Sequence, residues 1–208
     1  MSEYYYCAFK ILTLGESGVG KTSILLQFAE NKFPKLHLAT LGIDFRSKII
    51  HVSDKDIKLK ISDSAGQERF HVITRAMFKD ANGIALIYDV TDKNSCSKIK
   101  YWIEQIKSNI SEKDISLVLL GNKCDMKERE VSQQQGKEMA QELNISYFET
   151  SAKTGKGINE AFEHLAKEIM KKKGDVVSDR RKSFRLTSST QRKNNKKGCC
   201  YSYSNKIE

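Results

Sequence analysis

GESGVGKT, residues 15–22, follows an apolar run at 11–14 that predicts a strand and leads into residues 21–28, which predict a helix. A glycine-rich loop in that position turns its backbone N–H groups inward, where they bind an anion. The glycines let the backbone approach phosphate oxygens, Lys21 reaches the outer phosphates, and the Thr22 hydroxyl is placed to bind Mg²⁺. The stretch therefore predicts a phosphate site, formed by Ser17, Gly18, Val19, Gly20, Lys21, Thr22 and Ser23.

Apolar stretches and helical patterns alternate along the first 173 residues. We predict strands at 5–14, 42–52, 56–63, 84–90, 116–121 and 146–149, and helices at 21–29, 68–79, 95–108, 132–143 and 157–173. Most connections are long enough for parallel crossovers, whereas the short turn at 53–55 predicts an antiparallel hairpin at one sheet edge. The predicted fold class is α/β, with a six-stranded, mostly parallel sheet, one antiparallel edge strand and helices on both faces.

Ligands of such a sheet collect beyond the carboxyl ends of its strands, and DSAGQ at 63–67 occupies such an end. Asp63 would hold Mg²⁺ through its water shell, and the Gly66 N–H would meet the terminal phosphate. Gln67 would orient an attacking water and is the predicted catalytic residue. The alternative is a strand end followed by a plain surface turn.

NKCD at 122–125 follows another predicted strand. The Asp125 carboxylate is suited to accept hydrogen bonds from guanine N1–H and from its exocyclic amine, whereas adenine has an acceptor in place of N1–H. A site built on such bonds rejects an analogue that lacks them by about 10⁴ to 10⁵. Asn122 would tie this loop to the phosphate loop, and the Lys123 stem would lie over the base. Taken alone, the tetrapeptide also fits a plain loop.

TSAK at 150–153 follows the last predicted strand and is placed to close the base pocket. Its backbone N–H at Ala152 would point toward the guanine oxygen. Taken alone, the tetrapeptide is also a signal for the start of a helix. The residues predicted to contact the base from this loop are Ser151, Ala152 and Lys153.

Together these residues resemble the small Ras-like GTPases, and among them the Rab family most closely, over about residues 7–173. The matching pieces are GESGVGKT at 15–22, TLGIDF at 40–45, DSAGQERF at 63–70, YDVTD at 88–92, GNKCD at 121–125 and ETSAK at 149–153. The resemblance implies the P-loop NTPase G-domain fold and a bound GTP or GDP with Mg²⁺. It implies that Thr40 is a second protein ligand of Mg²⁺ and that Phe33 lies against guanine. A core anchor is the alternative for Phe33.

Three positions depart from the Rab pattern. Ser62 stands where Rab proteins usually carry Trp, Ser64 where Thr is usual, and Leu41 where Ile is usual. The resemblance implies an aromatic surface that effectors contact, of which Phe45 and Phe78 match two members. Because the third ring is lost at position 62, the choice of effector is open.

The basic character of the chain comes from one end. Residues 171–208 hold twelve Lys or Arg and three Asp or Glu, so nine of the ten formal positive charges lie there. Apolar residues are too few in this segment for their burial to offset the conformational entropy lost on folding. The composition therefore predicts a G domain at 1–173 and a disordered basic tail at 174–208. Since a nucleic-acid-binding fold carries its charge on a folded face, we expect no nucleic-acid partner. Five scattered cysteines predict a reducing compartment.

The Cys199-Cys200 pair resembles the pair that receives prenyl groups in Rab proteins. Eight residues follow it, and reversible palmitoylation of the same thiols or a plain hydrophilic tail are the alternatives. The basic clusters around it would attract anionic lipid. We therefore expect a cytoplasmic protein that is peripheral on the cytosolic face of an intracellular or plasma membrane.

The predicted function is a slow GTPase acting as a membrane-associated switch in vesicle traffic. The resemblance implies a monomer that meets an exchange factor, a GTPase-activating protein, a GDP-dissociation inhibitor or escort protein, and effectors. A nucleotide-bound scaffold of the same fold with little cycling is the main alternative. A P-loop ATPase or kinase is a second alternative, which Asp125 opposes.

Overall fold

The computed structural model describes residues 4–34, 43–64, 78, 80–109 and 115–186, with the backbone alone at 43–44, 63–64 and 174–186. The strands are β1 (Cys7–Leu14), β2 (Ile43–Val52), β3 (Lys55–Ser64), β4 (Gly83–Asp89), β5 (Ser116–Asn122) and β6 (Ser146–Glu149). The helices are α1 (Lys21–Glu30), α2 (Lys93–Ser97), α3 (Ile99–Asn109), α4 (Gln133–Glu142) and α5 (Ile158–Leu186). The chain divides into two compact units, residues 1–173 and 174–208.

The six strands form one sheet in the order β2-β3-β1-β4-β5-β6. β2 is antiparallel to β3, and every other neighbouring pair is parallel, which confirms the predicted fold class. Ser53 and Asp54 close the hairpin with φ of 48° and 60°. Two residues with positive φ match the right-handed twist of the flanking strands, so the turn is one residue shorter than the predicted 53–55.

Helices cover both faces of the sheet and bury two apolar layers. Ile11 and Leu12 are adjacent on β1 and belong to opposite layers, because successive strand residues point to opposite faces. On the Ile11 face, α1 meets α5 where the ring centroids of Phe28 and Phe162 lie 4.4 Å apart. On the Leu12 face, α3 packs through residues that include Trp102. β4 is buried along its whole length, as expected of a parallel strand with neighbours on both sides.

Most predicted helices agree with the structure at their starts. α4 begins within one residue of its prediction because Ser132 and Gln135 form a reciprocal capping box. The predicted start at 95 is wrong, since the Asp92 carboxylate accepts a hydrogen bond from the Asn94 N–H and starts α2 at Lys93. The helix predicted at 68–79 lies almost entirely outside the described residues.

α5 ends at Leu186 rather than at the predicted 173, so its backbone enters the segment predicted to be a tail. Residues 174–186 contain no proline, and their second half holds several good helix formers, so the sequence permits the helix to continue. Residues 187–208, including Cys199 and Cys200, lie outside the described residues. None of the described helices is both long enough and apolar enough to cross a bilayer.

Candidate nucleotide-binding site

The predicted motifs meet at the carboxyl edge of the sheet. β1 leads into the loop at 15–20, β5 ends at Asn122, and β6 ends at Glu149, directly before TSAK at 150–153. β1, β4, β5 and β6 are consecutive parallel neighbours, so all of these loops leave the same edge. This is the edge where open α/β sheets bind ligands.

Two glycines of the phosphate loop occupy positions that no other residue fits. A Cβ on Gly15 would lie 2.0 Å from the carbonyl oxygen of Ile87, and a Cβ on Gly20 would lie 2.4 Å from the Asn122 amide nitrogen. Gly20 is also the N-cap of α1, with φ of 98° and no side-chain cap for the first turn. The loop therefore presses against β4 and β5 on one side and leaves the start of α1 uncovered by a side chain.

Lys21 turns back over this loop from the first turn of α1. Its side chain is buried, and Nζ donates hydrogen bonds of 2.8 Å to the carbonyl oxygens of Gly15 and Glu16. Gly18 has φ of 80° and open space of at least 4 Å where a Cβ would stand. The arrangement places the Lys21 ammonium group at the rim of the loop. A bound polyphosphate would require such a positive charge beside the backbone N–H groups.

Asn122 connects the phosphate loop with the loop after β6. Its amide is 1% exposed, and Nδ2 donates to the carbonyl oxygen of Val19 at 2.8 Å. Its Oδ1 accepts from the Ala152 N–H at 3.2 Å and from the Thr150 hydroxyl at 3.4 Å. In this structure the Ala152 N–H thus has a protein partner, and its predicted bond to guanine remains a prediction.

The carboxylate predicted to read guanine is held in place by a buried serine. Ser151 is fully buried, and its Oγ donates to Asp125 Oδ1 at 2.6 Å, while the N–H of Thr154 donates to the same hydroxyl at 3.1 Å. Asp125 itself is exposed. A charge-assisted bond of this length fixes the orientation of the carboxylate, and the exposure of Asp125 leaves the residue accessible to a ligand.

A carboxylate that the sequence did not identify as a site residue positions Lys123. Asp89 ends β4, is 6% exposed, and lies 2.5 Å from Lys123 Nζ through Oδ2. Its Oδ1 accepts from the N–H and the hydroxyl of Thr91, at 2.9 and 2.7 Å. Lys123 has φ of 65°, so the backbone as well as the ion pair sets the direction of its stem. The sequence does offer a signal for Asp89, because this carboxylate lies near the end of a predicted strand, as other predicted site residues do. In the sheet that strand is β4, which lies between β1 and β5.

The remaining predicted residues differ in how far the structure describes them. Phe33 is 39% exposed, and Lys153 is exposed. Thr22 is half-buried in the first turn of α1, and the Ser23 side chain is buried. Asp63 is described in its backbone alone, in register with Thr13 of β1. Thr40, Gly66 and Gln67 lie outside the described residues.

The predicted aromatic surface is smaller than expected. Phe45 is 65% exposed, but Phe78 is 4% exposed and packs with Leu12 and Leu14 in the core, so its expected place on the surface is wrong. Ser62 is buried opposite Phe45 in the β2–β3 register, and its hydroxyl donates to the carbonyl oxygen of Ile11 at 3.3 Å. Of the two aromatic residues expected on the effector surface, Phe45 is therefore the one that is exposed.

A polar network joins the two loops that are predicted to frame the base. The Arg129 guanidinium lies 2.5 Å from Glu149 Oε1, and the hydroxyl of Tyr147 donates to the same oxygen at 3.4 Å. The hydroxyls of Tyr88 and Tyr147 are 3.1 Å apart. Burial raises the pKa of Tyr88 to about 12 and also raises the pKa of Tyr147, so both phenols stay protonated at neutral pH. The network joins the segment after NKCD to the residue before TSAK.

We expect Glu149→Gln to speed the release of a guanine nucleotide by about tenfold. The side chains of Arg129 and Glu149 are 27% and 13% exposed, and breaking the pair leaves a poorly solvated charge between the two base loops. The dissociation rate of a fluorescent GDP analogue measures this effect. Glu142→Gln is the matched control, because it breaks an exposed pair with Lys100. Equal rates for the two variants would contradict the role of the network.

Residues 10–171 match the model of the Ras family. Ras-related protein Rab-13 of Bos taurus is 45% identical over 175 residues, which are 84% of this chain and 86% of the relative. Ras-related protein Rab-8B of Homo sapiens is 44% identical over 180 residues, 86% of each chain. Ras-related protein Rab-10 of Caenorhabditis elegans is 42% identical over 197 residues, 94% of this chain and 98% of the relative.

Proposed function

This chain belongs to the Ras family, whose members are GTPases, and we propose that it is a Rab-like molecular switch of vesicle trafficking that cycles between GTP and GDP. The observation that carries the proposal is the Asn122 amide, which bonds to both the phosphate loop and the loop after β6. One side chain thereby couples the expected triphosphate and base sites. Such coupling suits a nucleotide, because a nucleotide has both a phosphate chain and a base.

The chemistry of the proposed oxygen ligands suits a bound Mg²⁺. Among the described residues, no group of three or more His, Cys, Asp or Glu could hold a metal. The proposed ligands are instead the hydroxyls of Thr22 and Thr40, Asp63 through water, and the nucleotide phosphates. Mg²⁺ prefers such a set, because it keeps several waters and binds few protein oxygens. When bound, the ion would neutralise charge that develops on the phosphate oxygens.

The proposed reaction is in-line attack of water on the γ-phosphorus of GTP, which would break the bond from that phosphorus to the β–γ bridging oxygen and release GDP and inorganic phosphate. Gln67 would orient that water, the Gly66 N–H would donate to the phosphate, and Lys21 would stabilise its charge. Unassisted turnover is expected to be slow, on the order of 10⁻⁴ s⁻¹, as for Ras itself without an activating partner. Thr40 and Gly66 would be held by the nucleotide triphosphate and released on hydrolysis, which is the change that effectors read.

The proposed site of action is the cytosolic face of a membrane. Cys199 and Cys200 would carry lipid, and the basic residues around them would add attraction to anionic headgroups. The proposed partners are an exchange factor, a GTPase-activating protein, a GDP-dissociation inhibitor or escort protein, and effectors. Phe45 is the exposed aromatic that an effector would meet.

Single-turnover hydrolysis of GTP by the purified full chain with Mg²⁺ tests the enzymatic part. We expect slow release of phosphate that cell extract accelerates, and we expect Gln67→Leu to lower the accelerated rate at least tenfold while nucleotide binding is retained. Gln134→Leu, on the exposed face of α4, is the control. If bound GTP stays intact even with extract, the scaffold alternative is favoured.

A further inference from the structure

Three consecutive tyrosines and three lysines lie together at the amino-terminal end of β1. The tyrosines are Tyr4, Tyr5 and Tyr6, with exposed fractions of 91%, 42% and 44%. The lysines are Lys55 and Lys58 on β3 and Lys173 on α5. These six residues, which we call the tyrosine–lysine patch, take no part in the nucleotide site described above.

Hydrogen bonding and cation–π contacts hold the patch against the sheet. The N–H of Tyr6 donates to the carbonyl oxygen of Asp56 at 2.7 Å, which continues the pairing of β1 with β3. Lys55 Nζ lies 4.3 Å from the centroid of the Tyr6 ring, and Lys58 Nζ lies 5.5 Å from that of Tyr5. Each of these aromatic rings is therefore paired with an ammonium group at the surface.

Lys173, on α5, also lies near the amino-terminal part of β1. Its Nζ lies 5.5 Å from the ring centroid of Phe9, which is on β1. Burial raises the pKa of the Cys7 thiol, while the charges of Lys173 and Lys55 oppose that shift, so both ammonium groups act on one sulfur. In sequence, the basic segment 174–208 begins immediately after Lys173.

Of the described acidic side chains on the segments that form the patch, two have partners of their own. The Asp56 carboxylate lies 3.0 Å from His51 Nδ1, and Glu168 lies 2.7 Å from Lys171. Asp54 is in the turn between β2 and β3. Lys55, Lys58 and Lys173 place three ammonium groups within 5.5 Å of aromatic ring centroids at this end of β1, and these are the positive charges that the patch offers.

The patch lies at the opposite end of β1 from the phosphate loop. The eight residues of β1 span about 26 Å at about 3.3 Å per residue. A surface that contacts the patch thus leaves the nucleotide loops open to solvent and to partners. A ligand for the patch needs negative charge for the lysines and an interface that accepts tyrosine rings.

We propose that the tyrosine–lysine patch binds an anionic bilayer surface, with the rings at headgroup level and the lysines against lipid phosphate. Tyrosine suits this boundary because its ring is apolar and its hydroxyl is wet, and lysine stems reach outward to charged headgroups. The proposal adds a contact of the folded domain to the proposed membrane association, and it depends on neither lipidation nor GTP hydrolysis. It orients the domain with its nucleotide edge away from the membrane.

Co-sedimentation of the unlipidated, GDP-loaded full chain with vesicles of 70% phosphatidylcholine and 30% phosphatidylserine tests the proposal. Tyr4→Ser, Tyr5→Ser and Tyr6→Ser combined leave every charge in place, and we expect them to lower the partition coefficient about fivefold. We expect Lys55→Gln with Lys58→Gln to lower it about tenfold or more. The basic tail accounts for the residual binding.

Lys100→Gln with Lys137→Gln is the matched control, because it removes two exposed lysines from α3 and α4. Hydrogen exchange of residues 4–10 should slow on the vesicles, whereas exchange of residues 127–143 should not. The proposal is overturned if the tyrosine variant binds like the wild type, if the control loses as much as Lys55→Gln with Lys58→Gln, or if residues 4–10 gain no protection. GDP retention by every variant reports separately on the proposed nucleotide site.

Discussion

Asp125→Asn is expected to lower the affinity for GDP and GTP by roughly 10²- to 10⁴-fold. The carboxylate is proposed to accept two hydrogen bonds from guanine, and each hydrogen bond to a charged group is worth about 1.5–3 kcal/mol. Ser151 Oγ already donates to Asp125 Oδ1 at 2.6 Å, so the acid has little freedom to find other partners. The amide of an asparagine at this position would place its NH₂ group opposite an N–H group of guanine, so one of the two proposed hydrogen bonds would be lost.

The same substitution should alter selectivity as well as affinity. Xanthine carries a carbonyl oxygen where guanine carries its exocyclic amine, so the amide of an asparagine donates to it. We therefore expect Asp125→Asn to bind xanthosine diphosphate more tightly than GDP. Calorimetric titration with the two nucleotides measures both effects, and binding of the xanthosine nucleotide shows that the variant is folded.

Glu128→Gln is the matched control for this experiment. It removes an exposed carboxylate three residues away in the same loop, so it reproduces the change in net charge without touching the proposed base contact. We expect its affinity for GDP to stay within about twofold of the wild type. A similar loss in the two variants, or unchanged GDP binding by Asp125→Asn, would sink the assignment of the guanine contact.

The fold and the main loops were predictable because their signals are local. Alternating apolar strands and helical patterns fix the order of the elements, and glycine, asparagine and aspartate at strand ends indicate where a ligand binds. Asn122 was expected to reach the phosphate loop, and its amide donates to Val19 across more than a hundred positions. The prediction succeeded because parallel strands bring their carboxyl ends to one edge.

What the sequence did not predict depends on pairing between side chains that are distant in the chain. Lys123 pairs with Asp89, and Arg129 pairs with Glu149, although the partners are far apart in the chain. The position of Asp89 at the end of a strand marks it as a candidate, but no local pattern identifies Lys123 as its partner or pairs Arg129 with Glu149. The resemblance to the Rab family implies a surface position for Phe78, whereas its packing in the core of this chain buries it. The end of α5 is also not given by local propensity, because residues 174–179 are all weak helix formers and the helix nevertheless continues to Leu186.

Gly15→Ala is expected to destabilise the protein by about 2–5 kcal/mol and to lower its melting temperature by roughly 5–20 °C. A Cβ at this position would stand 2.0 Å from the carbonyl oxygen of Ile87. Ile87 belongs to the fully buried strand β4 and lies opposite Leu120 of β5, so its carbonyl oxygen cannot move without disturbing the pairing of these two strands. The φ of 148° adds strain for a residue with a Cβ.

Gly18→Ala separates the two causes within the same loop. Gly18 also has positive φ, at 80°, but a Cβ there would meet no atom within 4 Å. It should therefore show the conformational penalty alone, about 1–2 kcal/mol. Thermal unfolding of both variants without added nucleotide, followed by circular dichroism, compares them. If Gly18→Ala lost as much stability as Gly15→Ala, backbone strain rather than contact with β4 would explain why the loop needs glycine at position 15.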